Sequence, residues 1–528
     1  MSAPSVQETE TVDQPVGLII FAIAAVLLLA AIGQTIVSTA LPVIVAELGG
    51  LDHLTWVITA YLLSATVVAP IYGKLGDLYG RKIVIQSAIV IFLLGSVLAG
   101  IAGNMTVLIL ARVIQGLGGG GLMVMALTVV ADVLPARERG KIQGLFGGVF
   151  GLATIIGPLL GGFLVENLSW HWIFFVNLPL GVLALGVIAF ALKPKGNRTE
   201  RKVDYAGAAL LTAMLSSAVL YTSLGGNTLP WGSAPMLALI AIAIASLFGF
   251  IAVERRAAEP ILPLGLFFNN TFLITNTVGF IVGVAMFGAI TFLPLYLQVV
   301  QGVSPTESGL YLLPMMAGLI STSTLAGVVM SRTGRYRLLP ILSTGILAIG
   351  MLLLSTLGTE TAMPMVALYM FVVGIGLGPV MSIGVTAVQN AVPGPQLGVA
   401  TASVQMFRQI GGSIGVSAFG AVFSAGLANR LRAVLPGGGT SGFDAVSIAA
   451  MPEGVRDTVL AGFVASLQPV FLIAAGASVI ACLLGFLIVE VPLATTLRQE
   501  PEAEFEAEEA ATAGIVGGPI TEGGSGRA

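Results

Sequence analysis

The chain's largest shortage is charge. Of its 528 residues only 9% are Asp, Glu, Lys or Arg, against 56% hydrophobic, whereas a soluble globular domain carries roughly a quarter charged residues. So few charges cannot cover a water-facing surface of this size, which excludes the three or so soluble domains that length alone would suggest. Cysteine is nearly missing: the one thiol, Cys482, forms no internal disulfide and leaves the redox compartment unread. Histidine occurs twice, as His53 and His171. Both flank ends of apolar runs, where an interfacial residue is a simpler reading than a proton relay. No basic patch suited to nucleic acid exists. The first 16 residues hold Glu8, Glu10 and Asp13 but no Lys or Arg, so they lack the basic start of a signal peptide, and the first apolar run is expected to be kept. There is no nucleophile triad, metal-ligand cluster or phosphate-binding Gly-Lys-Ser/Thr loop. An enzyme, a cofactor or a nucleotide-driven machine is therefore not expected.

What the chain has is long apolar runs. Fourteen span about 17–41, 54–72, 83–102, 107–131, 142–165, 172–192, 205–224, 235–253, 272–298, 307–330, 338–357, 363–390, 399–427 and 465–489. A helix of about 20 such residues crosses a hydrocarbon core of about 30 Å, so the expected class is an all-α membrane protein. An even number of spans puts both termini on one side. One set of loops and the tail hold 18 of the 23 basic residues: Lys74, Arg81 and Lys82; Arg137, Arg139 and Lys141; five between 193 and 202; Arg255 and Arg256; Arg332, Arg335 and Arg337; Arg498 and Arg527. The opposite loops hold Arg430, Arg432 and Arg456. By the positive-inside rule the rich side, with both termini, is cytoplasmic. Abundant Ala and Gly, with Arg over Lys, suit a GC-rich bacterial genome and hence a bacterial plasma membrane.

The chain also repeats itself. Gly73-Lys-Leu-Gly-Asp-Leu-Tyr-Gly-Arg81 returns as Gly327-Val-Val-Met-Ser-Arg-Thr-Gly-Arg335 at an offset of 254, with Ser331 where Asp77 stands. Ala40-Leu41-Pro42 matches Phe292-Leu293-Pro294 at 252, and Gly116-Leu-Gly118 matches Gly374-Ile-Gly376 at 258. Two related halves, with two helices inserted between them, follow from one nearly constant offset. The expected divisions are a lead over 1–16, an N-terminal six-helix half over 17–192, the inserted pair and linkers over 193–271, a C-terminal six-helix half over 272–490 with an outer loop at 428–462, and an acidic disordered tail over 491–528.

Three motifs now resemble one family. The stretch from Gly73 through Gly76, Asp77, Gly80, Arg81 and Lys82 resembles the major facilitator loop signature between the second and third helices. Arg112-x-x-Gln115-Gly116-x-Gly118 resembles the fourth-helix motif. Ala153 with Gly157-Pro158-x-x-Gly161-Gly162 resembles the fifth-helix antiporter motif. With fourteen spans, the nearest group is the fourteen-helix drug:proton antiporters. The resemblance implies the major facilitator fold and alternating access about a mid-membrane site. It also implies a latch in which Asp77 faces the start of a helix in the other half, where the helix dipole favours a carboxylate. Arg81 and Lys82 would pair with acids such as Asp132 or Glu138, or with lipid headgroups. Pro158 would bend the fifth helix. Arg112, costly in mid-membrane, is a functional candidate by default. Arg408, in Phe407-Arg408-Gln409-x-Gly411-Gly412, matches a further motif of the group. Ser304-Pro305-Thr306-Glu307 reads as a capping box.

One departure stands out. Drug antiporters of this group usually carry Asp just before Gln34; here the residue is Gly33. No Asp or Glu lies well inside any span. The proton could ride on the end acids Asp77, Asp132 or Glu166, pass through Arg112 and water, or not be coupled at all. A pocket without acids favours neutral or singly charged lipophiles; its candidate residues are Gln34, Tyr61, Asn276, Phe287, Tyr296, Tyr311, Met315 and Gln389. The expected activity is export of hydrophobic small molecules such as drugs, by proton antiport and as a monomer. The alternatives are export of an endogenous lipid or secondary metabolite, or uncoupled facilitation. The fifth-helix motif argues against a nutrient importer, and the want of a soluble domain against a sensor.

Overall fold

A computed structural model describes residues 15–48, 54–192, 203–225, 229–431 and 452–494. In the N-terminal half, α1 (Val16–Thr35) and α2 (Val37–Leu48) form the first span, followed by α3 (Leu54–Tyr79), α4 (Arg81–Gly100), α5 (Met105–Val133) and α6 (Ala136–Asn167). A short α7 (Trp172–Phe175) and α8 (Asn177–Ala191) make the sixth span. The inserted helices are α9 (Tyr205–Leu224) and α10 (Ala234–Glu254). In the C-terminal half come α11 (Asn270–Val299), α12 (Pro305–Leu310) with α13 (Leu313–Thr333), α14 (Leu338–Leu354), α15 (Met363–Ala391), α16 (Leu397–Leu431) and α17 (Glu453–Gly485). Among the described residues, thirteen helices are long and apolar enough to cross a membrane, and α14 is a shorter apolar one. The chain is a multi-pass membrane protein: all-helical spans satisfy every backbone group internally where no water can.

Local chemistry sets the breaks. In the first span the α1–α2 junction falls at Thr35, whose Oγ1 donates to Ala31 O at 3.2 Å and to Ala153 O at 3.1 Å, a side-chain bond that competes with the helix ladder. Asn104, Asp204 and Asn269 cap α5, α9 and α11 by accepting from Val107, Gly207 and Phe272 N–H. The expected box at α12 is complete: Ser304 Oγ accepts from Glu307 N–H, and Glu307 accepts from Ser304 N–H. One apolar core is centred on α1 and α3–α5 and extends onto the ends of α15 and α16 at the seam; a second is centred on α11, α13, α15 and α17. α10 packs on α9, and α9 lies along α3 and α16. There Thr222 Oγ1 and Ser413 Oγ are 2.6 Å apart, and Ser417 Oγ donates to Thr222 O.

Some boundaries differ from expectation. α16 reaches Leu431 and α17 begins at Glu453, so both ends of the 428–462 loop are helical; 432–451 lie outside the described residues. Residues 491–494, expected to belong to a disordered tail, run extended across the Arg-rich end. Asn390 Nδ2 donates to Val491 and Pro492 O, Val491 N–H to Tyr336 Oη, and Arg137 N–H to Ala494 O. The rest of the tail, the lead to residue 14 and the 193–202 linker lie outside the described residues, as does His53.

Candidate functional site

The halves meet at the Arg-rich end along two seams, α3 against α16 and α6 against α13. Glycine makes both possible. A Cβ on Gly73 would lie 2.6 Å from Gly398 O, and one on Gly327 would lie 2.3 Å from Gly140 O. Any side chain would force the helices apart. Above the first contact, Asp77 accepts from Gly398 N–H at 2.9 Å and Val399 N–H at 3.0 Å, the free amides of the first turn of α16. It also pairs with Arg81 at 2.5 Å, its side chain 3% exposed. A carboxylate at a helix N-terminus gains from both amides and dipole. Arg81 in turn reaches Asp132 at 3.1 Å. Lys82 does not join this group: its ammonium donates to Ala189 O at the end of α8, a free terminal carbonyl that attracts a cation. Gly80, with φ of 89°, lets the chain turn from α3 into α4.

The second seam repeats this geometry with a different cap. There the end of α13 meets the start of α6, but Ser331 stands where Asp77 stands and brings no carboxylate to it. Instead Arg137 donates to Ser331 O at 2.6 Å and Arg332 O at 2.7 Å. Gln143 closes the space between the seams: Thr386 Oγ1 donates to it at 3.0 Å and it donates to Gln389. Gln389 then donates to Leu127 O and Thr401 Oγ1.

A second polar centre lies inside the N-terminal half. Arg112 on α5 is fully buried. Its Nε donates to Val57 O at 3.1 Å, and Nη1 to Gly33 O at 2.9 Å and Gln115 Oε1 at 2.6 Å. Its guanidinium stacks 4.3 Å from the Tyr61 ring centroid. Gln115 continues to Ser96 at 2.8 Å, which Asn177 also reaches. No carboxylate joins the group among the described residues, and Nη2 has no hydrogen-bond partner. Arg112→Ala should therefore cost on the order of 3 kcal/mol, since it strands two buried carbonyls and empties a large volume. Arg112→Lys should fall between, because an ammonium cannot fork to both carbonyls. Melting curves of the purified protein check the order.

The other expected residues are dispersed. Ala153 O accepts from Thr35, and a Cβ on Gly157 would lie 2.1 Å from Thr35 Oγ1, so this part of α6 binds α1 tightly. Gly161 is buried, Gly162 faces open space, and α6 continues helically through Pro158. Glu166 is exposed at the end of α6. Arg408 lies well inside α16, half-buried, on Gln405 Oε1 and Met381 Sδ. The eight pocket candidates do not share one wall. Tyr61, Tyr296 and Met315 are buried within their own halves, and the two phenols donate to Ala30 O and Gly358 O. A buried hydroxyl needs an acceptor and takes the nearest free carbonyl. Gln389 belongs to the closure described above. Asn276 donates to Phe272 O one turn back. Gln34 and Phe287 are half-buried, and Tyr311 is 37% exposed.

Sequence reasoning missed Gln143, Thr386 and Arg137. Only the position of Arg137 in a loop facing Ser331 signalled it.

Comparison with known proteins agrees with this architecture. The family described as Major Facilitator Superfamily matches residues 23–416. Multidrug transporter protein MdtP of Bacillus subtilis is 42% identical over 83% of this chain and 81% of its own length. Multidrug resistance protein 3 of the same species is 34% identical over 85% and 90%. The solved structure of the proton:xylose symporter XylE superposes with a TM-score of 0.62 at 16% identity, covering 93% of this chain and 98% of that one. With a family match over most of the chain and paired halves built on its repeated glycine loop, this protein belongs to the major facilitator superfamily and is a transporter.

Proposed function

We propose that this transporter exports lipophilic small molecules across a bacterial plasma membrane by proton antiport, as a monomer with the Arg-rich end and both termini in the cytoplasm. The observation that carries the mechanism is the construction of the two seams. Both are glycine contacts closed by polar caps, Asp77 on α16 and Arg137 on α13. Such caps can part without breaking a helix, so the halves can rock about the membrane centre. In this arrangement the cytoplasmic side is shut and cargo leaves on the outer side. A drug cargo is supported by the relatives named Multidrug transporter protein MdtP and Multidrug resistance protein 3, and the export direction by the likeness of the fifth helix to the antiporter motif. The pocket candidates not buried within a half, Gln34, Phe287 and Tyr311, carry no formal charge, which suits neutral or singly charged lipophiles.

One observation favours a second reading, uncoupled facilitation: Arg112 has no acid beside it, and the site of the expected Asp is Gly33. Uptake of lipophilic dyes into proteoliposomes, with the pH gradient imposed or collapsed, separates the two. Accumulation that follows the gradient supports antiport. Mere equilibration supports facilitation. No movement of any lipophile sinks the drug-export reading and leaves a narrow endogenous cargo such as a lipid or secondary metabolite.

A further inference from the structure

The inserted helices carry a group that the latch and the Arg112 centre do not use. Asp204, the cap of α9, spends one carboxylate oxygen on Gly207 N–H at 2.8 Å. Glu254, the last residue of α10 and 4% exposed, spends one on Ile261 and Leu262 N–H at 3.0 and 3.2 Å. The second oxygens, Asp204 Oδ2 and Glu254 Oε2, are buried and have no hydrogen-bond partner. The two carboxylates are neighbours across Gly207, where an added Cβ would lie 2.3 Å from Asp204 Oδ2 and 3.2 Å from Glu254 Oε1. Among the described residues, the charged groups around them are few. Lys74 of α3 lies nearby, but its ammonium is held by Glu259 at 2.7 Å. Arg256 lines the same water-open recess as Asp204, with Ala252, Val253 and Ala257.

Two buried acceptors without donors are expensive, and a second carboxylate beside the first adds a like-charge repulsion that one shared proton relieves. We propose that Asp204 and Glu254 together form a proton-binding site that holds one proton, taken from the water of the recess. The proton supplies the missing donor and removes the repulsion between the pair. Its position gives it a consequence. Glu254 holds the 261–262 backbone, and Glu259 in the same loop holds Lys74, one residue from the Gly73 contact. Loss of the proton would double the pair's negative charge and draw the Lys74 ammonium from Glu259, loosening the loop from α3 beside the latch. The site is independent of the cargo, so its test needs no transport.

The test uses full-length protein in nanodiscs. Because the folded site holds a proton that the unfolded chain releases, stability should fall as pH rises through the site's titration. The native melting midpoint should show that fall, and Glu254→Gln, whose amide carries its hydrogens at every pH, should lose it. Infrared spectra at neutral pH should contain a protonated-carboxyl stretch that both Asp204→Asn and Glu254→Gln abolish. Parallel melting profiles, or a native spectrum without that stretch, would overturn the proposal. So would stabilisation by sodium or potassium over choline at fixed pH, which would assign the site to a metal cation. Should either variant fail to fold, the native spectrum alone decides.

Discussion

Asp77→Ala is expected to open the Arg-rich end of the bundle. The wild-type carboxylate takes two hydrogen bonds from the first turn of α16, and charged hydrogen bonds of this kind contribute roughly 1.5–3 kcal/mol each. Arg81 keeps Asp132 as a partner, so the variant escapes the full penalty of a buried unpaired cation. The loss of about 3 kcal/mol or more falls on one state only, because the contact exists only while α3 and α16 touch. That shifts the ratio of closed to open forms by about 100-fold. Asp77→Asn should shift it less, as an amide oxygen still accepts but carries no charge. The reporter is Thr401→Cys in a Cys482→Ser background. Thr401 is fully buried beneath the latch, so a membrane-impermeant maleimide should leave it unlabelled until Asp77 is replaced. Labelling that ignores Asp77→Ala would show that the Gly73–Gly398 contact and the Gln143–Gln389 bridge hold the seam unaided. Efflux should fall by about tenfold or more, since a carrier that rests in one state completes few cycles.

How far the sequence carried this site depended on whether a residue's role was written in its own neighbourhood. Asp77 was legible because the three glycines and two basic residues around it resemble the major facilitator loop signature, which implies a latch. Arg112 was legible from rarity alone: a guanidinium amid apolar residues must find acceptors, and it finds Val57 and Gly33 carbonyls. The fourteen helices followed from length and hydropathy. The pocket candidates were not legible, because a Tyr or Met on an all-apolar helix can face its own half or the path, and only the neighbouring helices decide. Tyr296 turned toward Gly358 because a free carbonyl lay there. The Gln143–Gln389 bridge joins residues 246 positions apart, neither unusual in its own helix. Lys82 was misjudged for a like reason: its partner is a backbone carbonyl, which no side-chain pattern announces.

Gly33→Asp should make transport steeper in the pH gradient. Gly33 O already accepts from Arg112, and a Cβ there would point toward Gln115, 3.8 Å from its Nε2, and against the Phe92 ring at 2.9 Å. The new carboxylate would therefore enter a buried centre whose cation, among the described residues, lacks a counter-charge. Phe92 must yield by a few tenths of an ångström, so Phe92→Leu beside Gly33→Asp serves as the relieved form. A carboxylate that gains and loses one proton per cycle couples one more proton to each turnover. Each proton moved across one pH unit is worth about 1.4 kcal/mol, or about tenfold in accumulation ratio. The expected result is thus about a tenfold larger dye accumulation per pH unit than in the native protein, whether the native protein is itself coupled or only equilibrates its cargo. Lipophilic monocations should gain most, since a buried negative charge repays part of their desolvation. If the slope is unchanged while the relieved variant folds and still moves dye, the Arg112 centre takes no part in coupling, and a native protein that does follow the gradient carries its proton on acids at the ends of the helices.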